Sequence, residues 1–303
     1  MWFTFAIITT LLWGVADLFY KKGANEADKY SHLKTSAMVG FVMGIHAIIM
    51  LIFFVPDYNF MNIIYYLPVS AMYILSMSIG YFGLRYLELF IISPIQNSSG
   101  AFAAILCFLF LGQTVKGLQL AAIILISLAI FGLGVLERRA QKADVEHKKY
   151  KIGFVAFLMP ILYCIIDAIG TFLDGFYLDD VSTTFLKGVT EDNIENVANI
   201  SYELTFLIVG IIIFCYIVFV KREKFNPFTE RDKGAAAIFE TAGQFTYVFA
   251  MSSSAIIAAP MIASYSIISV ILSRIFLKEK LSFGHYVLIA LVMVGIAILG
   301  LFE

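Results

Sequence analysis

Charge is what this sequence has least of: only 14% of its 303 residues are Asp, Glu, Lys or Arg. A soluble domain of this size carries about a quarter charged residues, so a single-domain soluble enzyme is excluded. The net charge is −1, which leaves no basic surplus to neutralise phosphates and argues against a nucleic-acid partner. Cysteine is scarce as well. Cys107, Cys164 and Cys215 all sit inside apolar runs, so neither a disulfide framework nor a thiolate metal site is implied. The chain has no GxxxxGK[ST] loop for a nucleotide and no HExxH or comparable metal spacing, and no cofactor is expected. The opening residues MWFTFAIITTLLWGVADLFYKKG lack a basic start and a small-residue cleavage signature. They therefore read as a retained span and not as a signal peptide.

What the chain has instead is apolar length. Hydrophobic residues make up 61% of it and the mean hydropathy is +0.89, the profile of an integral membrane protein. At roughly 20 residues per crossing of a ~30 Å hydrocarbon core, the apolar runs divide into ten spans: 2–24, 35–55, 63–84, 89–111, 118–136, 152–173, 201–220, 234–251, 255–277 and 283–301. The connections are short except for 174–200, which is rich in Asp, Glu and Asn. The loops after the odd-numbered spans hold 19 of the 21 basic residues; Lys116 and Lys187 are the other two. The positive-inside rule then puts those loops in the cytoplasm and both termini outside. A bacterial cytoplasmic membrane is the expected location, with lipid as the surrounding partner.

The two halves of the chain resemble each other. Shifted by 166 positions, residues 81–137 align with 247–303 without a gap, and 14 of the 57 pairs are identical, among them Tyr81 with Tyr247, Pro94 with Pro260 and Ser98 with Ser264. At a shift of 150, LLWGVAD ending at Asp17 lies over ILYCIID ending at Asp167. Five spans per copy is an odd number, so the second copy enters the membrane inverted. The expected fold is an all-α membrane protein of ten transmembrane helices as two inverted five-helix repeats, residues 1–137 and 138–303.

The run SPIQNSSGAFAAILCFLFLGQ, its copy APMIASYSIISVILSRIFLKEKLS and the opening LLWGVADLFYKKG resemble the drug/metabolite transporter superfamily, in particular its ten-helix EamA-type members. The resemblance covers nearly the whole chain apart from 174–200, and says little about substrate. Two departures stand out: Gln113 where many members carry Glu, a pattern that Glu279 keeps, and termini that the family usually places inside. The resemblance implies a transporter and not an enzyme.

Charges within spans are the informative residues, since one at mid-bilayer costs about 3 kcal/mol or more on insertion scales. Asp17, Asp167 and Glu240 are the clearest cases. Trp13 and Tyr163 stand four residues before the two aspartates, which puts ring and carboxylate on one helix face and suits an organic cation. Glu240, Gln244 and Tyr247 form one polar stripe at i, i+4 and i+7 that must face protein or water. Tyr81 is the repeat partner of Tyr247, and Gln96 and Asn97 follow Pro94 near the start of the fourth span, where polar groups line a cavity or join helices. Gly40 and Gly44 read as a close-packing face, His46 as a satisfied buried histidine, and Arg85 as a residue that snorkels at a helix end. Asp174 shares the face of Asp167 at the edge of the long loop.

The expected activity is secondary active transport of a small-molecule substrate, an amino acid or organic cation, with a coupling proton or exchange through the membrane carboxylates. Low dielectric favours the neutral form of a carboxylate, so such a group takes a proton when the site is empty and releases it to a cation. A facilitated-diffusion carrier of a neutral or anionic metabolite is the alternative within transport. A channel, a receptor or an intramembrane enzyme is the alternative outside it.

Overall fold

The computed structural model describes residues 1–115, 117–145, 154–278 and 281–301. Among them helix is the regular structure and there is no strand. In chain order the helices are α1 (Trp2–Gly23), α2 (Ser31–Phe53), a single turn α3 (Asn62–Tyr65), α4 (Leu67–Gly83), α5 (Leu89–Asn97), α6 (Ser99–Phe110), α7 (Gly117–Val145), α8 (Phe154–Asp179), α9 (Ile194–Cys215), α10 (Arg231–Ser253), α11 (Ala255–Ala263), α12 (Tyr265–Leu272) and α13 (Phe283–Gly300). Two of them, α9 and α12, run on into π turns.

Seven helical segments among the described residues are long and apolar enough to cross a membrane, counting α5 with α6 and α11 with α12 as one each. The helices α4 and α13 are apolar but shorter. The helix α10 is long enough but carries Arg231, Asp232, Lys233 and Glu240. Large apolar side chains cover the outside, and the charged and polar groups of the spans are kept inside among an apolar core, as lipid demands. Ile45, Ile52, Phe102, Ile105, Leu128 and Phe131 face outward, while Glu203, Glu240, Asp174 and Gln244 are buried.

Both broken segments break four residues after a proline. Pro94 lies in α5 and Pro260 in α11, and each lacks the N–H that would bond the carbonyl one turn back. The chain then kinks at Ser98 and at Ser264, whose hydroxyls donate back to the carbonyls of Pro94 (3.1 Å) and Met261 (2.5 Å). Gln96 and Asn97 therefore stand at a mid-span break and not near the start of a straight span, because the proline interrupts a run that composition alone reads as continuous.

Small residues set the helix crossings. A Cβ on Gly40 of α2 would lie 2.3 Å from the Phe206 carbonyl oxygen of α9, where Gly210 faces it. Gly100 of α6 similarly touches the Ala259 backbone of α11. Tight backbone approach of this kind is what holds helices together where lipid offers no hydrophobic gain. Against the loop expected over 174–200, α8 continues to Asp179 and α9 begins at Ile194. Asp174 is 1% exposed and Tyr66 donates a hydrogen bond to it, so a carboxylate that looked like a loop signal is an internal group. Arg85 does not snorkel to water either: it is buried and donates to the carbonyls of Asn25, Glu26 and Lys29 in the α1–α2 connection.

Candidate functional site

A cavity of about 790 Å³, its open mouth included, lies between α1, α4, α8 and α10, with the two broken segments forming its side. Each wall is a helix face. On α1 it is Trp13, Asp17 and Tyr20, on α8 Tyr163, Asp167 and Thr171, and on α10 Glu240, Gln244 and Tyr247. The spacings of three, four and seven residues keep these side chains in line along their helices. The helix α4 adds Tyr73, Met77 and Tyr81, and the break in the fourth span adds Gln96 and Asn97. All ten residues singled out in the sequence, Asp17, Asp167, Glu240, Trp13, Tyr163, Gln244, Tyr247, Tyr81, Gln96 and Asn97, thus line one cavity.

Asp17 Oδ2 accepts hydrogen bonds from Ser93 Oγ of α5 and Ser269 Oγ of α12, both at 2.7 Å. Asp167 Oδ2 accepts one from Ser99 Oγ of α6 at 2.7 Å, and its Oδ1 one from Ser76 Oγ at 3.4 Å. Ser93 and Ser99 stand on opposite sides of the break at Ser98, so one broken span holds Asp17 on its first half and Asp167 on its second. Glu240 Oε2 accepts from Tyr20 at 3.4 Å. No Lys, Arg or His stands among the lining residues, so three carboxylates meet in one polar space without a fixed counter-ion there.

Aromatic rings make up much of the remaining wall. Trp13 packs on Tyr247 at 5.0 Å and on Tyr265 at 5.7 Å between ring centroids, and Tyr20 on Tyr81 at 4.7 Å. The Tyr81 hydroxyl and the Gln96 side-chain nitrogen are buried without a hydrogen-bond partner among the described residues. At one end the cavity is closed by the Tyr73 hydroxyl, 2.7 Å from that of Tyr247 and donating to Thr171 Oγ1 at 3.1 Å.

Sequence reasoning missed Tyr20, Tyr73, Tyr202 and Tyr265 on the lining, because tyrosine is common in the chain, with 16 copies. It also missed Glu203, which lies near the start of its span, is 0% exposed and holds His46 Nδ1 at 2.8 Å outside the cavity. The i+4 spacing of Asn199 and Glu203, joined at 3.4 Å, is the signal that could have exposed it. Glu279 lies outside the described residues. The described residues hold no group of His, Cys, Asp and Glu arranged to bind a metal ion.

An apolar-sided helical bundle around an acidic, tyrosine-lined cavity defines a polytopic membrane protein with an internal polar cavity. Its family follows from the sequence as a whole. The model of the EamA-like transporter family matches residues 1–135 and 181–301, most of the chain, and the protein belongs to that family of membrane transporters. The match omits the stretch that holds α8. No curated protein matches the chain closely in sequence. A solved crystal structure is similar in fold, with a TM-score of 0.65 over 99% of this chain and 96% of its own, at 12% sequence identity.

Proposed function

We propose that the protein is a secondary active transporter of a small organic cation or amine-bearing metabolite, coupled to protons or to exchange through Asp17, Asp167 and Glu240. The observation that carries this reading is the charge of the cavity: three carboxylates line it and no basic side chain does. A carboxylate left in low dielectric needs a proton or a cation to neutralise it. An empty site that holds protons and a loaded site that holds an ammonium group are two ways of meeting the same requirement. The tyrosine and tryptophan faces favour a cation further through their ring quadrupoles.

Alternating access would come from ten spans arranged as two inverted repeats, 1–137 and 138–303. Adding α4, α10 and α13 to the seven long apolar segments gives that number. The packing partners support the inversion. Exchanging α1 with α8 and α4 with α10 turns the α1–α10 contact into the α8–α4 contact, and both are extensive. The pairs α2–α9 and α7–α13 map onto themselves under the same exchange and are also closely packed. Two halves related in this way can rock about a central site.

The reading is tested by thermal-shift titration of the purified protein with panels of primary amines, amino acids, organic anions and sugars. Stabilisation by amine-bearing compounds, weakened by Asp17→Asn or Asp167→Asn, supports it. Stabilisation by anions or sugars that survives both substitutions overturns it in favour of a facilitator.

A further inference from the structure

Beyond the closed end of the cavity lies a carboxylate that the transport reading does not use. The lining stops on α4 at Tyr73, on α8 at Thr171 and on α10 at Tyr247, three residues joined by hydrogen bonds at one level. One turn further along α8 is Asp174, seven residues after Asp167 and on the same face, which is about 10 Å along the axis. Seven residues before Tyr73 is Tyr66, whose hydroxyl donates to Asp174 Oδ1. The other carboxylate oxygen, Oδ2, is buried and has no hydrogen-bond partner among the described residues. Tyr73, Tyr202 and Tyr247 all lie within electrostatic reach of this carboxylate. The surroundings therefore repeat those of the cavity, an acidic group among tyrosines.

A carboxylate kept only to brace two helices would have both oxygens satisfied, because a bare buried acceptor costs desolvation without return. Asp174 has one oxygen bonded to Tyr66 and one without a hydrogen bond among the described residues, and the carboxylate lies against Tyr247, half of the tyrosine–tyrosine pair that with Thr171 forms the partition. We infer that Asp174 is a second station for a cationic cargo, one that joins the cavity when the Tyr73–Tyr247 hydrogen bond parts. The inference rests on the cavity being the path of a cation, as proposed above. Asp167, Thr171 and Asp174 would then form a ladder down one face of α8, with the partition separating the two acidic rungs. The cation leaves one carboxylate for the next and is not stranded in an apolar exit.

The test uses purified full-length protein in which Cys107, Cys164 and Cys215 have been replaced, with trimethylammonium-ethyl methanethiosulfonate as cationic probe and sulfonatoethyl methanethiosulfonate as anionic probe. A cysteine placed by Asp174→Cys is expected to react roughly fivefold faster with the cationic probe once Tyr247→Phe removes the partition's hydrogen bond, the scale set by one such bond. At alkaline pH, where the carboxylates of the empty protein have given up their protons, a cysteine placed by Thr171→Cys is expected to lose roughly fivefold in its cationic-to-anionic rate ratio when Asp174→Asn is added, through the loss of one nearby charge. Should Asp174→Cys fail to fold, the second comparison decides alone. A cysteine at 174 that stays inert behind Tyr247→Phe, or an unchanged ratio at 171, overturns the inference. A cysteine placed by Gln244→Cys separates the failures. If it reacts while 174 does not, only the second station is lost; if it too is inert, the water-filled cavity itself is wrong.

Discussion

Trp13 donates its indole N–H to the main-chain carbonyl of Glu240 at 3.2 Å, so the aromatic partner of Asp17 is anchored to the helix that carries the third carboxylate. The contact exists because residue 243 has no side chain. A Cβ on Gly243 would lie 2.4 Å from Trp13 Cδ1. The ring can then reach across to α10 and lie against Tyr247.

Gly243→Ala should therefore displace Trp13 and destabilise the protein by about 1–3 kcal/mol, the usual cost of overpacking. The chain has two tryptophans, so a Trp2→Phe background leaves Trp13 as the sole reporter. Its emission should shift on Gly243→Ala together with a lower Tm. Unchanged emission and Tm would mean that the crossing is looser than described.

The polar stripe of α10 makes an accessibility prediction. In a Cys-free background, cysteines at Gln244 and Tyr247 should react with a water-soluble thiol reagent, since both line the cavity. A cysteine at Thr246 should not, because that side chain is buried against Thr9 at 2.7 Å in the α1–α10 interface. A cysteine at Ala242, which faces outward from the bundle, should stay unreactive in a lipid bilayer. Equal reactivity at all four positions would remove the claim that the stripe faces water.

Glycines at the crossings predict a graded series. Gly40→Ala drives a methyl into the Phe206 backbone carbonyl at 2.3 Å, a group that cannot swing aside, and should cost about 2 kcal/mol or more. Gly234→Ala meets only the flexible end of Met38 at 3.4 Å and should be nearly neutral. Thermal unfolding of the two purified variants checks the order, and a reversed order would contradict the α2–α9 approach.

Much of this arrangement was legible in the sequence because membrane burial makes each charge conspicuous. Asp17, Asp167 and Glu240 stand out of apolar runs, and the Pro94/Ser98 and Pro260/Ser264 pairs announce a shared device. What was not legible has physical reasons too. Tyr73 and Tyr202 take their roles from neighbours 98 to 174 positions away, Thr171, Tyr247 and Met77, which no local period encodes. Asp174 and Glu203 sit where an apolar run thins out, at the edge of the long connection, and a carboxylate there draws no notice unless its distant partner, Tyr66 or His46, is known. The kinks at Ser98 and Ser264 are invisible to a composition window, which averages over the proline.

The central claim is that the three cavity carboxylates carry transport, Glu240 by exchanging the coupling proton and Asp17 and Asp167 by holding the positive charge of the cargo. The direct measurement is uphill uptake into proteoliposomes under an imposed proton gradient, with the cargo found by thermal shift, for the parent and for Asp17→Asn, Asp167→Asn and Glu240→Gln. Each swap keeps size and most hydrogen-bonding capacity while removing the titratable charge. Glu240→Gln should bind and exchange cargo but lose uphill uptake and its pH dependence. Asp17→Asn and Asp167→Asn should weaken affinity by about 1–3 kcal/mol, the range for a charged hydrogen bond, and keep the pH dependence. Uphill rates equal to the parent's in all three variants would contradict the account.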